Sequence, residues 1–91
     1  MAISAHFRHR GFTSEKYDEA IRRLEAAGHG APAGRLLSIA VEADGEIEVF
    51  AVWESPAALE AFGSVLVPLL QELGVEGHPP TIRPVRNIIK G

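Results

Sequence analysis

Cysteine is missing from all 91 residues, which excludes a disulfide framework, a thiolate nucleophile and any cysteine-ligated zinc. That composition suits a reducing compartment, and cytoplasmic localisation is the expectation. Positive charge is also short: 9 Lys and Arg stand against 12 Asp and Glu, for a net charge of -3, and the arginines are dispersed. Without a basic stripe, neither nucleic acid nor an anionic membrane surface is expected as a partner. No run approaches the ~20 apolar residues that cross a bilayer. The opening MAISAHFRHR has no basic segment followed by a long apolar one, so mature chain is expected from Met1. Absent too are HExxH, GxSxG and GxxxxGK, which leaves metalloprotease, serine hydrolase and P-loop readings without support. Gly28-x-Gly30-x-x-Ala33 has dinucleotide spacing, but it follows a predicted helix and precedes a strand, the reverse of the order that aims a helix N-terminus at phosphate.

What the chain does have is a hairpin signal. The run from Leu36 to Trp53, LLSIAVEADGEIEVFAVW, is apolar with a central Asp44-Gly45 pair suited to a type I′ turn. If Ala43 pairs with Glu46, alternation puts Leu36, Ser38, Ala40, Ile47, Val49, Ala51 and Trp53 on one face. Leu37, Ile39, Val41, Phe50 and Val52 then share the other. A hairpin that is oily on both sides needs two covers; helices supply one, and a second copy of the chain is the expected other. At 46% hydrophobic residues the chain reads as a single domain over residues 1–91, burying roughly 60 to 65% of its unfolded surface.

Around the hairpin, ISAHFRH (residues 3 to 9) alternates as a first strand, with Ile3, Ala5 and Phe7 opposite His6 and Arg8. Thr13 caps a first helix; Phe12 and Tyr17 stand where a hydrophobic staple needs them, and Gly28 ends it. Ser55-Pro56 opens a second helix whose buried side is Leu59, Phe62, Leu66, Leu69, Leu70 and Leu73. Pro68 predicts a break or kink near Val67. TIRPVRNII (81 to 89) reads as a last strand, confined by Pro84 to a sheet edge. Strand, helix, strand, strand, helix, strand is the βαββαβ order of a ferredoxin-like α+β fold: a four-stranded antiparallel sheet with two helices on one face.

Val52-Trp53-Glu54-Ser55-Pro56, Phe62, the Leu66-Val67-Pro68 interruption, Leu73-Gly74 and the closing Val85-Arg86-Asn87-Ile88-Ile89 resemble the dimeric α+β barrel proteins. They are similar to the antibiotic biosynthesis monooxygenase superfamily, and especially to its small members. The resemblance implies a homodimer with facing sheets and a cavity in each subunit between sheet and helices. It also implies that catalytic members oxidise aromatic, polyketide-like compounds with O2 and no prosthetic group, while others bind or degrade haem. Where catalytic relatives carry an Asn and often a helix His near the tryptophan, this chain has Val49, Ala51 and Phe62; Ser38 stands where nearer relatives carry His.

On the Trp53 face, small Ser38, Ala40 and Ala51 alternate with large Leu36, Val49 and Trp53. One reading is a pocket for a small apolar or aromatic ligand bounded by Trp53, Ser38, Phe62 and Tyr17, with the indole as a stacking wall. The other is that helix side chains fill the space and the protein is a non-catalytic structural or interaction module. A general base is sought among His6, His9, His29 and His78, with His6 the tentative one and a solvated histidine its alternative. His6 and His9, three apart on a strand, point to opposite faces, so no metal site is expected, and no cofactor. Arg8, Arg10, Arg83 and Arg86 read as a solvated surface. Glu48, by parity on the face expected to meet a second copy, is expected at its rim or paired with an arginine of that copy.

Overall fold

The computed structural model describes residues Met1–Gly91. Its elements are β1 (Ile3–Arg8), α1 (Ser14–Ala26), β2 (Arg35–Ala43), β3 (Glu46–Trp53), α2 (Pro56–Glu72) and β4 (Thr81–Pro84). The strands form one antiparallel sheet in the order β2-β3-β1-β4, the ferredoxin-like α+β arrangement expected from the element order.

The hairpin turn is the predicted one: Asp44 and Gly45 both take positive φ, 53° and 81°, and Ala43 faces Glu46. At the far end the register departs from simple alternation. A bulge between Arg35 and Leu37 inserts a residue, so Arg35, not Leu36, stands opposite Trp53. Leu36 therefore leaves the Trp53 face and is 56% exposed. Beyond the bulge, Ser38 opposes Ala51 and Ile39 opposes Phe50, as parity requires.

Local chemistry sets the helix ends. Thr13 accepts a hydrogen bond from the Lys16 N–H, and Phe12 and Tyr17 meet edge to face at 5.8 Å, closing the staple. Ser55 caps α2 by accepting from the Ala58 N–H. Both helices end in paired reverse bonds: Gly28 to Glu25 with His29 to Leu24, and Gly74 to Gln71 with Val75 to Leu70. Contrary to the expected break, α2 runs unbroken through Pro68. Pro68 and Ser64, whose carbonyl loses the bond, are both exposed, so water can satisfy that carbonyl, while Leu70 and the Val75 turn anchor the last turn from the core side. The last strand is also shorter than expected, ending at Pro84 instead of reaching Ile89. After Pro84 a single backbone bond continues the ladder, from the Val85 N–H to the Ala2 carbonyl. β4 is an edge strand, as Pro84 demands.

Two apolar clusters lie between sheet and helices. One gathers Ile3, Ala5, Leu24, Ala51, Trp53, Leu59 and Phe62; the other Phe12, Ile47, Leu70 and Val75. The helix layer covers β1 and β3 but stops short of β2, whose Ser38 and Ala40 are exposed even on the helix side. On the opposite face Leu37, Ile39, Val41 and Phe50 are 38 to 49% exposed, with Val52 half-buried between them.

Gly34 ties the loop before β2 to the start of α2. Its carbonyl accepts from the Glu54 N–H at 2.8 Å, its φ is +86°, and an added Cβ would lie 2.5 Å from the Ala58 Cβ. Gly34→Ala therefore combines a left-handed penalty with a clash and should cost about 2 to 3 kcal/mol, measured as a lower urea midpoint at unchanged m-value.

Candidate ligand-binding site

Because residues paired directly across strands point the same way, the β1–β3 register places Ile3 beside Trp53, Ala5 beside Ala51 and Phe7 beside Val49, all toward the helices. Trp53 is 2% exposed and leans on Phe62 at 5.4 Å. Around this pair is a cavity of about 70 Å³, with Tyr17 and Ile21 from α1, Phe62 and Leu66 from α2, and Ser38 and Ala51 from the sheet. The structure thus brings Trp53, Ser38, Phe62 and Tyr17 to one space, as their sequence positions predict. On the far side of α2 lies a larger groove of about 570 Å³, between Leu59, Gly63 and Val67 of the helix and His78, Pro79 and Ile82. Phe7, His9, Phe62, Leu66 and Leu70 border both spaces and form the wall between them.

The two spaces differ in what they can hold. A cavity of about 150 Å³ accommodates benzene, so the 70 Å³ beside Trp53 is largely filled by the protein's own side chains, whereas the groove has room for a ring system. One polar feature is left over in the filled region: the Trp53 indole N–H is buried and has no acceptor within the protein. A buried donor left without a partner costs about 1 to 3 kcal/mol.

His6, the tentative base, does not reach either space. It pairs with Phe50 across the ladder and stacks on that ring at 4.3 Å and 6°, on the sheet face away from Trp53. The reason is parity, since Ala5 and Phe7 take the inward positions on β1. Its Nε2 lies 3.5 Å from Glu48, which also meets Arg8 at 3.3 Å. Glu48 is therefore paired within its own chain and does not need an arginine from a second copy.

The imidazole that does face inward is His9, just past the end of β1 and 6% exposed. It packs edge-on to Phe12 at 6.0 Å and tilted against Phe7 at 5.8 Å, and its Nδ1 accepts from the His78 backbone N–H at 3.2 Å. Burial, and secondarily the neighbouring His78, hold its pKa below the ordinary 6.5, with the Glu76 carbonyl acting weakly in the other direction. The signal for His9 was present in the opposite parity of residues 6 and 9. Arg35 was not foreseeable: the bulge carries it to the cavity mouth, where its Nη2 donates to the Gly30 carbonyl at 2.9 Å. No three His, Asp or Glu side chains gather as a metal site requires.

The whole backbone superposes on solved structures. SnoaB, a cofactor-independent oxygenase from Streptomyces nogalater, aligns with a TM-score of 0.62 at 12% identity, over 99% of this chain and 96% of its own. The two proteins share a fold. A Deinococcus radiodurans protein described as a candidate antibiotic biosynthesis monooxygenase gives 0.63 at 17% identity, over 99% of this chain and 97% of that one. A candidate monooxygenase from Shewanella loihica gives 0.56 at 18%, over 96% of each. No family model matches the sequence, and no curated protein aligns with it. The likeness to these structures is one of fold, at 12 to 18% identity. None of its helices is long and apolar enough to cross a membrane.

The lowered pKa of His9 has a consequence for stability. The unfolded chain binds the proton more readily, so His9's contribution is complete above about pH 6.5 and is lost as pH falls through its folded value. Glu19, held at about 2 by hydrogen bonds from Arg22 and Arg23, acts only in a far more acidic window. Urea denaturation between about pH 5 and 7 should show an acid-side loss in the wild type that is smaller in His9→Gln.

Proposed function

We propose that the protein is a homodimer that binds a small, flat, apolar or aromatic compound bearing an oxygen acceptor, with cofactor-independent oxidation of that compound as its chemistry. The observation that carries the binding reading is the orphaned indole N–H of Trp53 in an apolar enclosure next to an open groove. A ligand whose ring lies in the groove and whose oxygenated edge displaces the thin wall of Phe62 and Leu66 supplies the missing acceptor. The apolar lining favours a ring through burial and excludes water from the reacting edge. For a phenolic or enolic compound, loss of its acidic proton leaves an oxygen-stabilised carbanion. That carbanion adds to O2 and takes up a proton to give a C–OOH hydroperoxide, whose O–O bond then breaks with loss of water to leave a carbonyl, so O2 is the oxidant and its second oxygen departs as water. The fold shared with a cofactor-independent oxygenase supports this chemistry.

The dimer rests on the second apolar face. Leu37, Ile39, Val41, Phe50 and Val52 form a continuous patch with charged Glu48 and Arg8 at its margin, the layout of an interface core and rim. Only 13 of 91 residues are buried in the protomer, so covering this patch adds core that the chain otherwise lacks. The smaller cavity favours the alternative of a non-catalytic interaction module, and the same experiment separates them.

Trp53 is the only tryptophan, so its fluorescence reports the site. Titration with 4-nitrophenol, a flat nitroaromatic quencher, should quench it along a saturable curve; purely collisional, unsaturable quenching would establish the module. Light scattering should give twice 9.8 kDa for the wild type and for Ser38→Ala, and a single protomer mass for Phe50→Lys. A wild type that stays monomeric at micromolar concentration refutes the dimer.

A further inference from the structure

Arg35 is the only Lys or Arg that borders either the Trp53 cavity or the groove, and it owes that position to the one register shift in the sheet. Strict alternation from Leu37 would give Leu36 the place opposite Trp53 on the helix side. The bulge turns Leu36 out to 56% exposure and puts Arg35 there instead. Exchanging an inward leucine for an arginine is unfavourable by apolar burial, so core packing does not account for the arrangement. The guanidinium is held in place without being neutralised. Its Nη2 donates to the Gly30 carbonyl at 2.9 Å, which leaves four of its five N–H donors. None of the protein's ion pairs involves Arg35, although the Glu54 carboxylate lies beside neighbouring Gly34. Ser38, the next residue of β2 to face the helices, borders the same cavity and is exposed, because the helix layer stops short of β2.

We propose that Arg35 is a specificity-determining residue of the site and that the compound it selects is a carboxylate: a flat ring bearing an anionic group that the guanidinium receives at the cavity mouth. The inference rests on the binding reading above and adds a charge to its ligand. A carboxylate meets the planar guanidinium with two parallel N–H···O bonds, a match that a neutral carbonyl or hydroxyl does not complete. Once the wall of Phe62 and Leu66 gives way, the cavity and the groove form one passage with opposite charges at its ends, Arg35 at the cavity mouth and Glu60 on the groove. That polarity sets the ligand's direction, with its anionic edge toward Arg35 and its ring toward the groove. Trp53, paired directly with Arg35 across the β2–β3 ladder, contributes its unpartnered N–H to the same cavity. The anionic edge therefore meets two donors, one charged and half-buried, the other neutral and buried. Because the guanidinium stands at an opening, the pair forms without full desolvation of two charges, and its strength falls as salt is raised.

4-Nitrobenzoate and 4-nitrobenzamide share a ring and nearly a size but differ in charge, and both can be titrated against the fluorescence of Trp53. At neutral pH and low salt the wild type should bind the benzoate about five to ten times more tightly than the amide, a preference that shrinks as salt is added. Arg35→Gln should abolish the preference while keeping the amide within about twofold of its wild-type affinity, and Arg35→Lys, which keeps the charge but not the fork, should retain only part of it. If the wild type binds both probes equally, or if Arg35→Gln keeps the full preference, the anion role is wrong while saturable quenching leaves the binding reading standing. An equal loss of both probes in Arg35→Gln marks Arg35 as a residue that only fastens the Gly30 loop and also overturns the proposal. If no probe, 4-nitrophenol included, binds the wild type saturably, the binding reading fails and takes this role with it.

Discussion

The central constraint is the pairing of β3 with a neighbour on each side. As an interior strand it must satisfy its backbone through β1 and β2, and that double register leaves no freedom in where its side chains point. Val49, Ala51 and Trp53 are committed to the helix side, Phe50 and Val52 to the other. Every feature of functional interest is downstream of that commitment. The inward set builds the cavity, the outward set builds the apolar patch, and a slip of one residue would exchange them. The same register sends His6 outward to Phe50 and leaves the strand's continuation to bring His9 inward.

The turn after α2 matters next, because it creates the groove. Gly74 lets the chain reverse, Val75 folds back onto Leu70, and the segment is then carried past His9 by an isolated bridge between Glu76 and Arg10. The chain therefore reaches β4 from beside the helix layer and not from beneath it. Ile82 pairs with Ala5 and so faces the helices, yet it stays 43% exposed because α2 does not extend over it. The groove is that uncovered strip. A longer or differently aimed connection would have filled it with loop, and His78 would not have come within reach of His9.

Much of this was legible beforehand, and what was legible has a common character: it is local or strictly periodic. The Asp44-Gly45 turn, the Thr13 and Ser55 caps, the Phe12–Tyr17 staple and the edge position of the Pro84 strand each depend on a few adjacent residues. The grouping of Trp53, Ser38, Phe62 and Tyr17 follows from strand and helix periods projected across the core. What was not legible depends on competition between distant segments. The bulge at Arg35–Leu37 reconciles the Gly34–Glu54 contact with the hairpin register, and nothing in the local sequence announces it. α2 keeps its course through Pro68 because the affected carbonyl is at the surface, a fact of three-dimensional placement. Both histidines lie in the stretch 3 to 9 read as the first strand, and His9 shares the parity of the inward Ile3, Ala5 and Phe7, so the buried imidazole is His9 and not the His6 taken as the tentative base.

His9 shows how such a small domain keeps an imidazole neutral in an apolar setting. Desolvating a charged imidazole against Phe7 and Phe12 is unfavourable, and no carboxylate pairs with it to offset that cost. A backbone N–H is the cheapest partner available, because it needs no side-chain ordering and no counter-charge, only a loop that passes at the right height. That partner stabilises the neutral ring while the Glu76 carbonyl acts in the opposite sense, and burial leaves the balance on the neutral side. The arrangement comes from where a loop crosses a strand end, and it needs no recognisable motif.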